Sequence, residues 1–317
     1  EMSDRQPVGV AECLAAAVRG AEPDVAVLRD TDPAAFCDEA DAHGVLALVA
    51  DRLCGRPDAP VALKTLLNAR AQEAAVRDMV QEGEMRRVLD AIDAAGLAAV
   101  VVKGGHLAYT HYQRPHERPR VDTDILIPAD ARSDVDDVLS GIGYTRSSKV
   151  SGELVTGQSF YVKRVGGRAM HGVDVHWKLA SPLVFAHFLS YDELAATSVL
   201  LPRLGRGARG PSNVNALLIA CVHRVAHHAD ALRLVWLYDI DRLARSLTED
   251  GWREFVDRAL DRKVAAVSAR GLEQAAQWFH TPLPEEPMQS LRRAEASRDE
   301  LTARYLEPRA EAAALVD

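Results

Sequence analysis

The hydrophobic pattern of this chain changes its period twice, and that change limits the folds open to it. From Val61 to Ala95 apolar residues recur at helical spacing, which predicts one long helix that ends at Gly96. At Leu97 six apolar residues follow without a break, and this short run predicts a buried strand. After about residue 210 the helical period returns. The sequence therefore predicts an α+β fold, in which N- and C-terminal helical regions flank a small core with a mixed sheet.

The same changes of period predict the boundaries of three parts. We expect an N-terminal helical region over 1–95, an α/β core over 96–210 and a C-terminal helical region over 211–317. The final stretch, from Met288, is charged and rich in alanine, and is expected to pack weakly. Further strands are predicted at 121–127, 159–163 and 172–177, and further helices at 106–112, 131–140, 214–228, 231–246, 252–263 and 264–278.

Composition excludes several classes of protein. The chain has 38 Lys and Arg against 46 Asp and Glu, so its net charge of −8 disfavours a broad surface for duplex DNA. No run of about 18 apolar residues is present, so no membrane partner is expected. Four scattered cysteines predict neither a disulfide framework nor a structural zinc site. Without a secretory pattern at the start, a cytoplasmic location is expected.

Asp122 and Asp124 are the strongest candidates for chemistry. Alternate residues of a strand point to one face, so these two carboxylates are expected side by side. Val121 precedes them, and Ile125 and Ile127 follow. Two neighbouring carboxylates on a mostly buried strand repel each other, and a divalent cation relieves that repulsion. The pattern therefore predicts a metal site.

A third carboxylate, Asp174, also lies within an apolar run. Three carboxylates on neighbouring strands can hold two metal ions and accept the proton of an attacking hydroxyl. We therefore expect Asp122, Asp124 and Asp174 to be both metal ligands and catalytic residues, with two Mg²⁺ ions, or Mn²⁺ in their place. His176 is expected on the face of Asp174, either at the site or as a hydrogen-bonded core histidine. Trp177 is expected in the core.

Glycines and basic residues near the first predicted strand indicate phosphate binding. Lys103-Gly104-Gly105 follows that strand, and glycines let a backbone and a helix N-terminus approach a phosphate. The spacing matches neither a P-loop nor a dinucleotide fingerprint. Arg118 and Arg120 either neutralise a triphosphate or pair with the aspartates of an empty site. The residues expected to bind the nucleotide are Lys103, Gly104, Gly105, Arg118, Arg120 and His176.

Together these motifs resemble the uncharacterised nucleotidyltransferase family often labelled type 5, within the DNA polymerase β-like nucleotidyltransferase superfamily. The resemblance spans about residues 40–245. It implies a nucleotidyltransferase core in which Asp122 and Asp124 bind metals, while Asp174 binds metal and helps to activate the acceptor. The matching positions are His43-Gly44-Val45, Lys103-Gly104, Tyr112, Arg118-Pro119, residues 122–127 (DTDILI), residues 173–177 (VDVHW) and Leu237-Tyr238-Asp239-Ile240.

The resemblance also implies a reaction. A metal-dependent nucleotidyltransferase moves an NMP from an NTP to an acceptor and releases pyrophosphate, and by analogy the NTP is ATP. A small-molecule acceptor is favoured over protein or RNA. Two other functions stay open, a catalytically silent nucleotide-binding module and a toxin-like transferase that modifies tRNA or protein.

Three histidines of the C-terminal region, His223, His227 and His228, fall on one predicted helix. His223 and His227 are one turn apart, a spacing that can bind a metal, although the H-E-x-x-H pattern is missing. The alternative is that a histidine of this helix lines the nucleotide cleft. The sequence leaves open whether these histidines contribute to the site.

Overall fold

The computed structural model describes residues 8–147, 157–180, 182–186, 188–295 and 300–306. Over these residues the chain is helical, then mixed α/β, then helical again, so the predicted α+β fold is confirmed. One hydrophobic cluster joins Leu14 and Phe36 of the N-terminal helices to Leu217 and Leu237 of the C-terminal helices. The boundaries near residues 95 and 210 stay predictions, because the two helical regions share this core.

The N-terminal helices begin and end at recognisable signals. Asp24 and Asp32 each accept hydrogen bonds from backbone N–H groups of the following first turn. The long helix predicted from Val61 is confirmed, and the chain leaves it at Gly96 with a φ of +70°. These helices are α1 (Val8–Arg19), α2 (Val25–Asp30), α3 (Pro33–Ala42), α4 (Leu46–Leu53) and α5 (Val61–Ala94).

Seven strands of the described residues form one mixed sheet in the order β3-β4-β5-β2-β1-β7-β6. The pairs β2–β5 and β1–β7 are parallel, and the other neighbouring pairs are antiparallel. The strands are β1 (Val100–Val101), β2 (Thr123–Leu126), β3 (Tyr144–Arg146), β4 (Gln158–Val165), β5 (Arg168–His176), β6 (Val199–Leu200) and β7 (Arg209–Gly210).

The strands predicted from Leu97 and over 121–127 are shorter in the structure, where they cover Val100–Val101 and Thr123–Leu126. Only Val100 and Val101 of the run from Leu97 lie in β1, which pairs with β2 on one side and β7 on the other. Helix α6 (Lys103–Thr110) starts earlier than predicted, so both glycines lie in its first turn rather than in a preceding loop. Val121 precedes β2 and is 84 % exposed, so the prediction that it flanks the aspartates within a buried strand is wrong.

The remaining helices cover the sheet and form the C-terminal region. The expectation of weak packing after Met288 is wrong for α13, because Met288 and Leu291 are buried in the shared hydrophobic cluster. None of the helices within the described part of the chain is both long and apolar enough to cross a bilayer. The helices are α7 (Arg132–Gly141), α8 (Tyr191–Ala196), α9 (Asn213–His228), α10 (Leu234–Ser246), α11 (Glu249–Asp261), α12 (Ala265–Phe279) and α13 (Glu285–Glu295).

Candidate active site

The parallel pairing of β2 and β5 brings Asp124 and Asp174 together. These two residues are register partners, and Leu126 and His176 are partners two positions further on. Side chains alternate along a strand, so Asp124, Asp174 and His176 share one face of the sheet. His176 Nε2 lies 2.9 Å from Asp124 Oδ1 and 3.3 Å from Asp174 Oδ2. A prediction from strand periodicity, that His176 and Asp174 share a face, is thus confirmed.

Asp122 lies one residue before β2, beside this pair rather than within it. Its side chain lies against β5, since a Cβ added to Gly172 would lie 3.4 Å from the Asp122 Cβ. Burial and the negative charges of Asp124 and Asp174 raise the pKa of Asp122 to about 7. Asp122 is therefore close enough to interact electrostatically with the Asp124 and Asp174 carboxylates.

Lys103 supplies the cation of this cluster. Its Nζ lies 2.5 Å from Asp124 Oδ1 and 3.2 Å from His176 Nε2. Burial opposes the charge of Lys103, but the Asp124 carboxylate more than compensates and raises the pKa of Lys103. Burial also opposes the charge of Asp124, yet Lys103 and His176 hold its pKa well below the ordinary value. In this structure Lys103 neutralises Asp124 instead of extending over a phosphate position.

The backbone at Lys103 is itself unusual. Lys103 adopts a φ of +54°, in the left-handed region that costs energy for a residue with a Cβ. The next two positions are tightly packed: a Cβ on Gly104 would lie 3.0 Å from Arg118 Nη1, and one on Gly105 would lie 3.1 Å from Val101. A side chain at either position would therefore have to displace the Arg118 or Val101 side chain by a few tenths of an ångström. No side chain caps the first turn of α6.

The side chains of Asp124, Asp174 and His176 fit a divalent cation. One ligand atom from each lies within 4.8 Å of the others. Asp174 Oδ1 is buried and has no hydrogen-bond partner among the described residues, a cost that a bound cation removes. The set differs from the predicted trio, because His176 belongs to it and Asp122 does not. A metal-binding role for Asp122 stays a prediction.

Arg118 and Arg120 do not pair with the aspartates of the site, so that alternative is wrong. Arg118 instead binds Asp239 of α10 through Nε and Nη2, at 2.9 and 2.8 Å. Arg120 Nη1 lies 2.7 Å from Asp78 of α5, and its Nη2 donates to the Tyr109 hydroxyl. Both aspartates are distant in sequence from the arginines, and the sequence around the arginines does not indicate which carboxylates they pair with. Nucleotide binding by Arg118 and Arg120 stays a prediction.

A narrow cavity extends from Lys103 toward the C-terminal helices. Lys103, His106 and Arg118 line one side, and His223, Trp236 and Asp239 line the other. His223 therefore lies at the cleft. Among the described residues the possible metal ligands group only at Asp124, Asp174 and His176, so metal binding by the α9 histidines has no support.

Sequence reasoning missed several residues at this cavity. It gave no role to Trp236, to the neighbouring Arg233 or to Asp239 as the partner of Arg118. A usable signal was present at Asp239, because it is a carboxylate between the buried residues Leu237 and Ile240 of an amphipathic helix. Trp177 is half-buried beneath the Arg132 guanidinium rather than in the core.

Comparison with known proteins identifies a family for this chain. No curated protein sequence matches the chain. The sequence model of the uncharacterised nucleotidyltransferase family matches residues 29–280, a span that includes the acidic cluster, Lys103 and helices α9 and α10. Because the match covers most of the chain, this protein belongs to that nucleotidyltransferase family.

Proposed function

We propose that this chain is a divalent-metal-dependent enzyme that transfers an NMP from an NTP, ATP by analogy, to a small-molecule acceptor. The observation that carries the proposal is the acidic cluster, in which Asp124 and Asp174 are register partners and the buried Asp174 Oδ1 has no hydrogen-bond partner among the described residues. Membership of a nucleotidyltransferase family supports the reaction class.

Asp124, Asp174 and His176 would hold the cation, Mg²⁺ or Mn²⁺, and Asp122 beside them would supply the further carboxylate for a second ion. When bound, the cation neutralises phosphate charge and polarises the oxygens of the transferred group. Lys103 would release Asp124 as the cation binds, and its ammonium would turn toward the phosphates.

The NTP triphosphate would lie over Lys103-Gly104-Gly105. The first turn of α6, which no side chain caps among the described residues, supplies backbone N–H groups there. The Arg118 guanidinium lies against Gly104, and Asp239 fixes its orientation. Arg118 would therefore meet the phosphates with a prepositioned side chain. Arg120, which is paired with Asp78, would contribute positive charge to the nucleotide site without touching the phosphates.

Asp174 would orient the acceptor. An acceptor hydroxyl attacks the α-phosphorus, a new P–O bond forms, and the bond between the α-phosphorus and the bridging oxygen breaks to release pyrophosphate. The proton of the hydroxyl passes to the Asp174 carboxylate, whose Oδ1 has no other hydrogen-bond partner among the described residues.

The test separates an enzyme from a catalytically silent nucleotide-binding module. Protein is incubated with each α-labelled NTP, Mg²⁺ and a cell extract, and labelled products are identified by mass spectrometry. We expect label in a small molecule with the native chain and none with Asp124→Asn or Asp174→Asn. Asp130→Asn is the matched control, since Asp130 is exposed just after the same strand. Label in protein or tRNA would instead favour the toxin-like transferase.

A second measurement does not depend on finding the acceptor. Mn²⁺ binding is followed by electron paramagnetic resonance on the native chain, Asp124→Asn and Asp130→Asn. Loss of binding in Asp124→Asn alone is expected, because Asp124 contributes to the ligand group. Equal Mn²⁺ binding by all three proteins would show that the proposed metal site is wrong.

A further inference from the structure

The cavity beside Lys103 has a second side that the proposed reaction leaves unused. His223 and Trp236 line this side, and His228 and Arg233 contact Trp236. We name these four residues the α9–α10 wall. The His228 ring stacks on Trp236 with centroids 4.1 Å apart and planes at 28°. The Arg233 guanidinium lies 5.1 Å from the Trp236 ring centroid.

Arg233 is a cation that lacks its own counter-ion. Within the described part of the chain it forms no ion pair, and its Nε is buried without a hydrogen-bond partner. Burial and the charge of Arg118 lower the pKa of Arg233, and Asp239 is the carboxylate that opposes this effect. Asp239 is already bound to Arg118 and to the Tyr112 hydroxyl. The Asp239 carboxylate is thus taken up by Arg118, and Arg233 has no carboxylate within ion-pair distance among the described residues.

The imidazoles around the cavity offer hydrogen bonds rather than charge. His106 is 1 % exposed, lines the cavity, and has an Nδ1 with no partner among the described residues. The Nδ1 of His223 is buried and unpartnered in the same way. Burial lowers the pKa of both residues, so both rings are neutral at pH 7. Unpartnered buried nitrogens are costly in a folded protein, and a polar ligand would satisfy them.

We infer that the α9–α10 wall binds an oxyanion, a phosphate or carboxylate group, through Arg233, with His223 as a hydrogen-bond partner. A guanidinium matches the two oxygens of such a group, and its position against Trp236 reduces the ordering cost of binding. Two sources fit this chemistry, the terminal phosphates of the NTP and an acidic group on the acceptor. Only the choice of source rests on the proposed function.

The anion site is tested without catalysis. Pyrophosphate is titrated calorimetrically at low ionic strength, without divalent cations, into the native chain, Arg233→Met and Arg242→Met. Arg242 is the matched control, because it also lies on α10 and over an aromatic ring but is exposed. We expect pyrophosphate to bind about 10-fold or more weakly to Arg233→Met, the usual effect of losing a hydrogen bond to a charged group. Arg242→Met should bind like the native chain.

A measurement on the unaltered protein guards against misfolding of the variant. Phenylglyoxal modifies accessible arginines, and mass spectrometry locates the modified residues. Pyrophosphate is expected to slow modification of Arg233 several-fold and to leave Arg242 unchanged. Native-like pyrophosphate affinity in a folded Arg233→Met protein, or no protection of Arg233, would overturn the inference.

Nucleotide titrations with Mg²⁺ then identify the source. If Arg233 holds the NTP tail, Arg233→Met weakens binding of ATP but not of AMP. If it holds the acceptor, Arg233→Met leaves the affinities for ATP and AMP unchanged. It then weakens only the binding of inorganic phosphate to the protein that already holds a non-hydrolysable ATP analogue. Failure of the proposed function is distinguishable, because label transfer that survives Asp124→Asn would refute the reaction scheme and leave the metal-free pyrophosphate result intact.

Discussion

Removal of the Arg118–Asp239 ion pair is expected to destabilise the whole chain. The two side chains are only 10 % and 4 % exposed. Arg118 donates to the carboxylate through Nε and Nη2, and the Tyr112 hydroxyl donates to it at 2.7 Å. Arg118→Met leaves a buried carboxylate with one neutral donor. Breaking such a pair from one side typically costs about 3–5 kcal/mol in the free energy of unfolding.

A variant that lacks both Arg118 and Asp239 shows how much of the lost stability comes from leaving one buried charge without its partner. Asp239→Leu strands the guanidinium and should cost a similar amount, whereas Arg118→Met with Asp239→Leu removes both charges. We therefore expect the double variant to lose at least about 2 kcal/mol less than the sum of the single losses. Urea unfolding followed by circular dichroism measures all three, with similar m-values required. Additive losses would refute the reasoning.

Two further readouts sharpen the comparison. Asp51→Asn weakens the pair with Arg114, in which the two side chains are 43 % and 44 % exposed, and should cost under about 1 kcal/mol. The double variant of Arg118 and Asp239 is expected to regain stability but not ATP affinity, since Arg118 lies against the phosphate-binding turn. Native ATP affinity in the double variant would remove Arg118 from the proposed nucleotide site.

Three other changes have defined outcomes. Lys103→Met should tighten Mn²⁺ binding about 10-fold, because a competing cation leaves Asp124, and calorimetry showing weaker binding would contradict this. Gly210→Ala should lower the free energy of unfolding by about 1–3 kcal/mol, since its Cβ would overlap the buried His106 ring, and an unchanged urea midpoint would contradict the packing. Burial lowers the pKa of His171 to about 4. As pH falls, this histidine is therefore protonated near pH 6.5 in the unfolded chain but only near pH 4 in the folded chain. Stability should therefore fall by about 3 kcal/mol as pH falls across that window, and the loss should be smaller by that amount in His171→Asn; identical pH slopes in urea titrations would refute the assignment.

The parts of this fold that local pattern controls could be predicted. Helical spacing from Val61 and the glycine at 96 define α5, and the alternation of a strand places His176 on the face of Asp174. Partners distant in sequence could not be predicted. Arg118 and Asp239 are 121 residues apart, and no periodicity indicates which carboxylate a given arginine will meet.

Lys103 shows the same limit inside the site. A lysine before two glycines predicts a phosphate ligand, and that role stays a prediction. In the structure its side chain binds Asp124, 21 residues further along, a contact that the local pattern does not indicate. The reason is electrostatic, because buried carboxylates attract the nearest available cation. Local sequence reports the type of charge at a position, while its counter-ion depends on the tertiary arrangement.

The distribution of charge in the cleft favours a small anionic substrate over a nucleic acid. The chain as a whole has a net charge of −8, which repels a long polyanion such as tRNA. Lys103 and Arg118 line one narrow cavity and are already paired with carboxylates, and Arg233 lies against Trp236 of the same cavity. A long phosphate backbone needs a row of exposed cations, whereas a triphosphate and one acidic group need only a few converging ones. An acceptor of small size and negative charge therefore suits this cleft best.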